Sequence, residues 1–236
     1  MLIGDKNYKI GVVLTQWKRP YLYKQLEQLQ KQTIQIDYVI VFQNENHIDI
    51  SEVVKKFKVI HVKSDYNTKY FGRFAYFFTL PVDICIVMDD YIILGTNCIK
   101  NYVEQCVSKN AIIGGNGRFA LNNKAQHALG REVGVRGSVK YDFVGHLWCF
   151  KKDWLYYMFG TKPYTYDTSE DMHLCYSSKF SGNIDSYIAE HKTIEDCCDI
   201  TNNRLADDAV ASFKTTPRPL RDAVEKYWQD KGLKFL

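Results

Sequence analysis

Ile84-Cys85-Ile86-Val87-Met88-Asp89-Asp90-Tyr91 is the stretch that decides the fold. Five consecutive apolar residues, rich in β-branched side chains and too few for a helix, read as a strand buried on both faces. The run breaks into two adjacent carboxylates. Toward the N-terminus the same kind of run recurs. Residues 58–63, 38–42 (YVIVF) and 8–14 (YKIGVVL) each read as a strand. Helical signals lie between them. Pro20 opens a first turn where its missing N–H costs little, and Leu22, Leu26 and Leu29 follow at helical spacing. Ser51 is placed to cap a helix carrying Glu52, Val53, Val54 and Phe57. Gly72 to Leu80 reads as a third helix, stopped by Pro81. Strands alternating with helices predict an α/β fold, a mostly parallel central sheet with helices on both faces.

Beyond Tyr91 the pattern loosens. Ile112 to Asn116 and Asp142 to Phe150 read as strands of a smaller β region, with a Gly-rich and polar stretch between them. A helix is expected from near Ser169, a short strand at the SYIA segment, and a last helix from about Leu220 to Gly232, after Pro217 and Pro219. No repeat, low-complexity run or linker divides the chain. The expectation is one domain over 1–236, with halves of about 1–95 and 96–215 and a C-terminal helix over about 216–236.

Composition narrows the class. With 236 residues, 46% hydrophobic and 25% charged, the chain can bury a sizeable core and is not disordered. The net charge of +4 is spread along the chain. Without a basic patch interleaved with aromatics it does not point to nucleic acid, but it suits an anionic, diphosphate-bearing ligand. The seven cysteines form no CxxC pair, which argues against a zinc knuckle. Several lie in apolar runs, where a thiol behaves as a small hydrophobe. They read as reduced thiols of a cytosol-like compartment. No apolar stretch approaches the ~20 residues that span a bilayer. The opening MLIGDKNYKIGVV lacks a signal-peptide layout. Either a cytoplasmic location or excision from a longer protein accounts for this.

Asp89 and Asp90 sit where open parallel sheets bind ligands, at the carboxyl end of a strand. Adjacent carboxylates repel unless a cation or proton lies between them. A divalent ion bridging diphosphate oxygens needs only one or two of them. A solvated turn, where Asp is common, explains the pair equally well. Glu170 and Asp171 follow Ser169, and an acidic first turn behind a capping serine explains them without chemistry.

Four motifs in order carry a family resemblance. Val12-Val13-Leu14-Thr15-Gln16-Trp17-Lys18-Arg19-Pro20 looks like the first strand and nucleotide loop of GT-A glycosyltransferases, and Met88-Asp89-Asp90 resembles their DxD region. Phe143-Val144-Gly145-His146-Leu147-Trp148 looks like their acceptor-side strand. Ser169-Glu170-Asp171-Met172-His173-Leu174 resembles their late E-D element. Together they span roughly residues 8–195. The short form is similar to family-2-like enzymes of bacteria and large DNA viruses.

The resemblance implies a GT-A (Rossmann-like) fold that uses Mn²⁺ or Mg²⁺. The donor would be a nucleotide sugar, with a UDP-sugar favoured, and the acceptor a glycan or glycoconjugate. Asp90 would carry the main metal contact and Asp89 would lie nearer the donor. Asp171 would be the base of an inverting transfer, assisted by Glu170. Thr15, Arg19 and Asn44 would line the donor site, as would Arg73, whose guanidinium suits a diphosphate. Arg19 reads equally as a solvated helix-start residue, Arg73 also reads as a surface arginine, and Asn44-Glu45 reads more readily as a polar turn. His191 would add an imidazole to the metal, although a lone histidine is more often structural. His146 and Trp148 would meet the acceptor, with Trp148 as readily core. Tyr91 stands where many relatives carry a third carboxylate.

Other functions fit less well. A nucleotidyltransferase would need a Gly-rich triphosphate loop near the first strand, and Thr15-Gln16-Trp17-Lys18 has no glycine. Gly114-Gly115-Asn116-Gly117 is no GxGxxG fingerprint. A sugar-binding domain that has lost its chemistry remains open, with Tyr91 its best support.

Overall fold

The computed structural model describes residues 1–121, 132–134, 139–201 and 218–236, with nothing of the Arg218 side chain. An antiparallel ribbon of β1 (Leu2–Ile3) and β2 (Lys6–Asn7) precedes the main sheet. The sheet contains β3 (Ile10–Gln16), β4 (Tyr38–Asn44), β5 (Ile60–Ser64), β6 (Ile84–Met88), β7 (Ile112–Arg118), β8 (Lys140–Tyr141), β9 (Phe143–Lys151) and β10 (Ser186–Ile188). Their spatial order is β5-β4-β3-β6-β9-β7-β10-β8. The β5-β4-β3-β6 side is wholly parallel. β9 runs antiparallel to both β6 and β7, so β7 points the same way as β6. The second half is therefore not a separate β region but the continuation of one sheet.

Burial explains the uninterrupted apolar runs. Val12, Val13, Leu14 and every residue of β6 are inaccessible to solvent, so both faces of these strands are covered. Helix α1 (Leu22–Gln30) buries Leu22, Gln25, Leu26 and Leu29 on one face. Helix α2 (Ser51–Phe57) begins at Ser51 without using its hydroxyl as a cap. The cap position is Ile50, and Asp49 before it accepts the Ser51 N–H at 3.0 Å and the hydroxyl at 2.6 Å through Oδ1. The stretch read as one helix over 72–80 is a short α3 (Gly72–Ala75) that tightens into a 3₁₀ turn over Tyr76–Thr79. Leu80 is extended ahead of Pro81, as the ring of a following proline demands.

Two helices lie where the sequence reading places none. α4 (Cys98–Lys109) packs on β7 and β9, burying Cys98, Ile99, Tyr102, Val103 and Cys106. α5 (Leu155–Gly160) packs against α6 (Glu170–Gly182). The C-terminal helix, Arg218–Asp230, starts two residues earlier than expected and includes Pro219 in its first turn. All seven cysteines are buried free thiols. Among the described residues no helix is long and apolar enough to cross a membrane.

The glycines of β7 have a packing reason. A Cβ on Gly114 would lie 2.3 Å from the Cβ of Val144, and one on Gly117 2.5 Å from the Tyr141 ring. Side chains cannot enter there, because neighbouring strands approach too closely.

Candidate active site

The parallel strands deliver their carboxyl ends to one edge of the sheet, and β7 adds its own end to that edge. Asp89 and Asp90 leave β6 there. Arg118 is the last residue of β7 and pairs with Phe143 at the start of β9. The two halves are pinned where β6 ends: Met88 pairs with Leu147, and the Asp89 N–H donates to the His146 carbonyl at 3.1 Å. Gln25 of α1 holds the same turn, its amide donating to the carbonyls of Asp89 (2.9 Å) and Ile92 (3.0 Å).

Arg73 lies at the centre. It is 3% exposed and not a surface residue. One terminal nitrogen, Nη1, donates to Asp89 Oδ1 at 2.5 Å and to Thr15 Oγ1 at 3.2 Å. The other, Nη2, donates to Glu170 Oε1 at 2.8 Å, 97 residues along the chain. Its guanidinium lies 4.8 Å from the centre of the Trp148 ring. Burial works against its charge, but Asp89 and Glu170 hold its pKa above the ordinary range. Burial pushes the Glu170 carboxyl up to about 7, against the pull of Arg73.

Arg19 pairs with Asp90 through Nη1 and Oδ1 and lies 5.1 Å from the Tyr91 ring centre. Burial pushes Asp90 up to about 6, against the opposing pull of Arg19. Tyr91 donates its hydroxyl to Asp89 Oδ2 at 3.0 Å. The residue standing in place of a third carboxylate thus binds the second oxygen of the first. Both Asp89 oxygens are engaged. Among the described residues, Asp90 Oδ2 is the one oxygen of the pair with no partner.

Asp171 follows Glu170 in the first turn of α6. Its Oδ1 accepts the Met172 N–H at 2.8 Å. Its Oδ2 faces the bare backbone of Gly145, 3.8 Å from where a Cβ would stand. Ser169 makes no side-chain cap; it adopts a left-handed φ of 63° and its hydroxyl is buried without a partner. The capping explanation of this acidic turn therefore fails for Ser169. Arg118, absent from the sequence reading, faces Asp171 from β7. Burial and the nearby Arg221 lower its pKa, while Asp171 supports its charge. Its place at the carboxyl end of a strand was the available signal.

The remaining expected residues divide. Asn44 is 5% exposed and spends its side chain on the next loop, accepting from Thr68 N (2.9 Å) and Oγ1 (3.1 Å) and donating to Asn67 and Lys69. Beside it Glu45 accepts the Trp17 indole N–H at 2.9 Å, which with His47 lowers its pKa. Trp148 is 2% exposed, donates its N–H to Val144 O, and lies beneath Arg73 with no face open to a sugar. His146 has a left-handed φ of 69°, meets the Tyr91 ring edge-on at 5.5 Å, and places Nε2 3.1 Å from the Asn116 amide. His191 is not brought to the carboxylates. It stacks on Tyr102, its Nε2 3.2 Å from the Tyr102 hydroxyl and its Nδ1 3.1 Å from the Glu132 carbonyl.

Among the described residues no group of three His, Cys, Asp or Glu side chains could hold a metal. An ion here would take one oxygen from Asp90 and its other ligands from phosphate and water. That donor set fits Mg²⁺ or Mn²⁺, which bind beside substrate phosphates through one or two carboxylates.

No family model matches the sequence, and no curated protein matches it. The structure, in contrast, is similar to that of S. aureus TarS, with a TM-score of 0.57 at 12% identity over 77% of this chain. A 1–349 fragment of TarS in complex with UDP gives a TM-score of 0.54 over 77% of the chain, and its complex with UDP-GlcNAc gives 0.55 over 86%, at 12% and 11% identity. The chain spans 36% of the first of these structures and 60–62% of the other two. At this identity the likeness concerns the fold: a mixed α/β sheet of the GT-A kind.

Proposed function

We propose that this protein is a metal-dependent glycosyltransferase that moves a sugar from a UDP-sugar to a glycan hydroxyl, with inversion. The observation that carries this reading is the convergence of two distant acidic pairs. Asp89-Asp90 and Glu170-Asp171 meet through Arg73 at the carboxyl edge of the sheet. The fold's solved likenesses include complexes with UDP and UDP-GlcNAc, which supports the choice of donor.

The geometry supports the following roles. Asp90 would hold the cation, which when bound offsets charge on the leaving diphosphate. Arg19 pairs with Asp90 and stands beside the same place, fit to meet a phosphate. Thr15 lines the floor next to Arg73. The loop at Asn44, with Glu45 and Trp17, offers a ring and a carboxylate to the nucleobase. Asp171 would remove the acceptor's proton as the new C–O bond forms, the space over Gly145 leaving room for that hydroxyl. His146 lies on that side and Glu170 supports the base. Residues up to about 95 would serve the donor and those beyond it the acceptor.

A thermal-shift screen of nucleotides and nucleotide sugars, with and without manganese, tests the proposal. A ligand at about 100 times its Kd adds ~2.7 kcal/mol to the folded state. For a chain of this size that is roughly 5–10 °C in Tm. The expected result is a manganese-dependent shift with UDP and a UDP-sugar that disappears in Asp90→Ala. No shift with any nucleotide, or an unchanged manganese effect in Asp90→Ala, overturns it.

A further inference from the structure

Arg73 draws together three segments remote in sequence: the end of β3 through Thr15, the end of β6 through Asp89, and the start of α6 through Glu170. Three of its five N–H groups are committed to these partners, its ring-facing side is closed by Trp148, and Nε is buried without a partner. Such a group is poorly placed to grip a phosphate. The start of α6, meanwhile, lacks its usual anchor. Ser169 is left-handed, makes no cap, and its hydroxyl is orphaned. The first turn of α6 carries Asp171, and the neighbouring Glu170 is held by Arg73.

We infer that Arg73 is a positioning residue that fixes the first turn of α6, and with it the Asp171 carboxylate, relative to Asp89-Asp90. The inference rests on the transfer reading and reassigns Arg73 from donor contact to tether. A planar fork can hold two carboxylates on separate nitrogens. A lysine keeps the charge but presents it at a point, so one of the two carboxylates is released. Both would repel each other without a cation between them. The Asp171 carboxylate would then wander relative to the donor, and a misplacement of about 1 Å can cost 10²-fold in rate.

The test is Arg73→Lys, read three ways. Transfer at saturating donor should fall by roughly 10–100-fold, while donor KM and nucleotide affinity stay within about threefold. Amide exchange at residues 173–177 of α6 should quicken by about tenfold or more, with β6 unchanged. The double variant Arg73→Lys/Glu170→Ala should be no slower than the worse single variant, because both break one link. If Arg73→Lys does not fold, Glu170→Ala, which removes the acceptor for Nη2, carries the same kinetic and exchange readings. Donor affinity weakened about tenfold with turnover retained would make Arg73 a donor contact and overturn the inference. Unchanged exchange in α6 would overturn it whatever the activity. A wild-type protein that binds no nucleotide sugar would instead sink the transfer reading, and α6 exchange would still decide the tether.

Discussion

Replacing Asp171 by Asn separates chemistry from structure at one atom. The structure gives the expected size of each effect. Asp171 Oδ1 accepts the Met172 N–H, and the asparagine carbonyl can accept the same bond, so the turn survives. What disappears is a negative charge near a helix N-terminus, worth about 0.3–1 kcal/mol, together with its attraction to Arg118. Folding stability should therefore drop by only about 1 kcal/mol. Loss of a general base costs ~10²–10⁴-fold in rate, or roughly 3–5 kcal/mol of barrier. The assay sets three numbers side by side in the same variant. These are kcat with an acceptor found by glycan-array screening, donor Kd by calorimetry, and unfolding free energy in urea. Only kcat should collapse. Full transfer by Asp171→Asn would refute the assignment of the base. A parallel loss of donor affinity and stability would make Asp171 a structural residue.

Two further outcomes follow from burial and packing. Glu170 has a folded-state pKa of about 7 against an ordinary 4.5, so the native state binds more protons than the unfolded state between those values, and its contribution to stability falls as pH rises through that window. Urea denaturation of Glu170→Gln beside wild type at pH 5 and pH 8 should show the variant gaining on wild type by up to on the order of 3 kcal/mol; a constant difference would contradict the buried-carboxyl account. In Gly114→Ala the new Cβ must fit 2.3 Å from that of Val144, and the chain should lose about 1–3 kcal/mol in the same assay; an unchanged midpoint would show that the strands can part without cost.

The parallel half of the fold was open to sequence reading because its strands are buried on both faces. Unbroken apolar runs such as Ile84–Met88 leave little choice of element or position. The second half was harder for physical reasons. α4 spreads its apolar positions over Cys98, Ile99, Tyr102, Val103 and Cys106, among charged and amide residues that blur the stripe. β9 reads as a strand, but nothing local says that it inserts between β6 and β7. In the candidate site, strand-end logic pointed to Asp89 and Asp90. No local signal could pair Arg73 with Glu170 across 97 residues, and an arginine in a four-residue helix looks like a surface residue until the tertiary contacts are known. Trp148 and His191 each carried two readings for a related reason. Ring chemistry is visible in sequence, but whether a ring faces a cleft or Arg73 and Tyr102 is decided by packing.

The register of β6 against β9 limits how this protein can change over evolutionary time. A strand advances about 3.3 Å per residue and turns its side chains over at each step. A single-residue insertion between Trp148 and Cys149 would carry His146 off the Asp89 amide and send Trp148 to the opposite face of the sheet, stripping Arg73 of its floor. Insertions and deletions should therefore be purged from this strand.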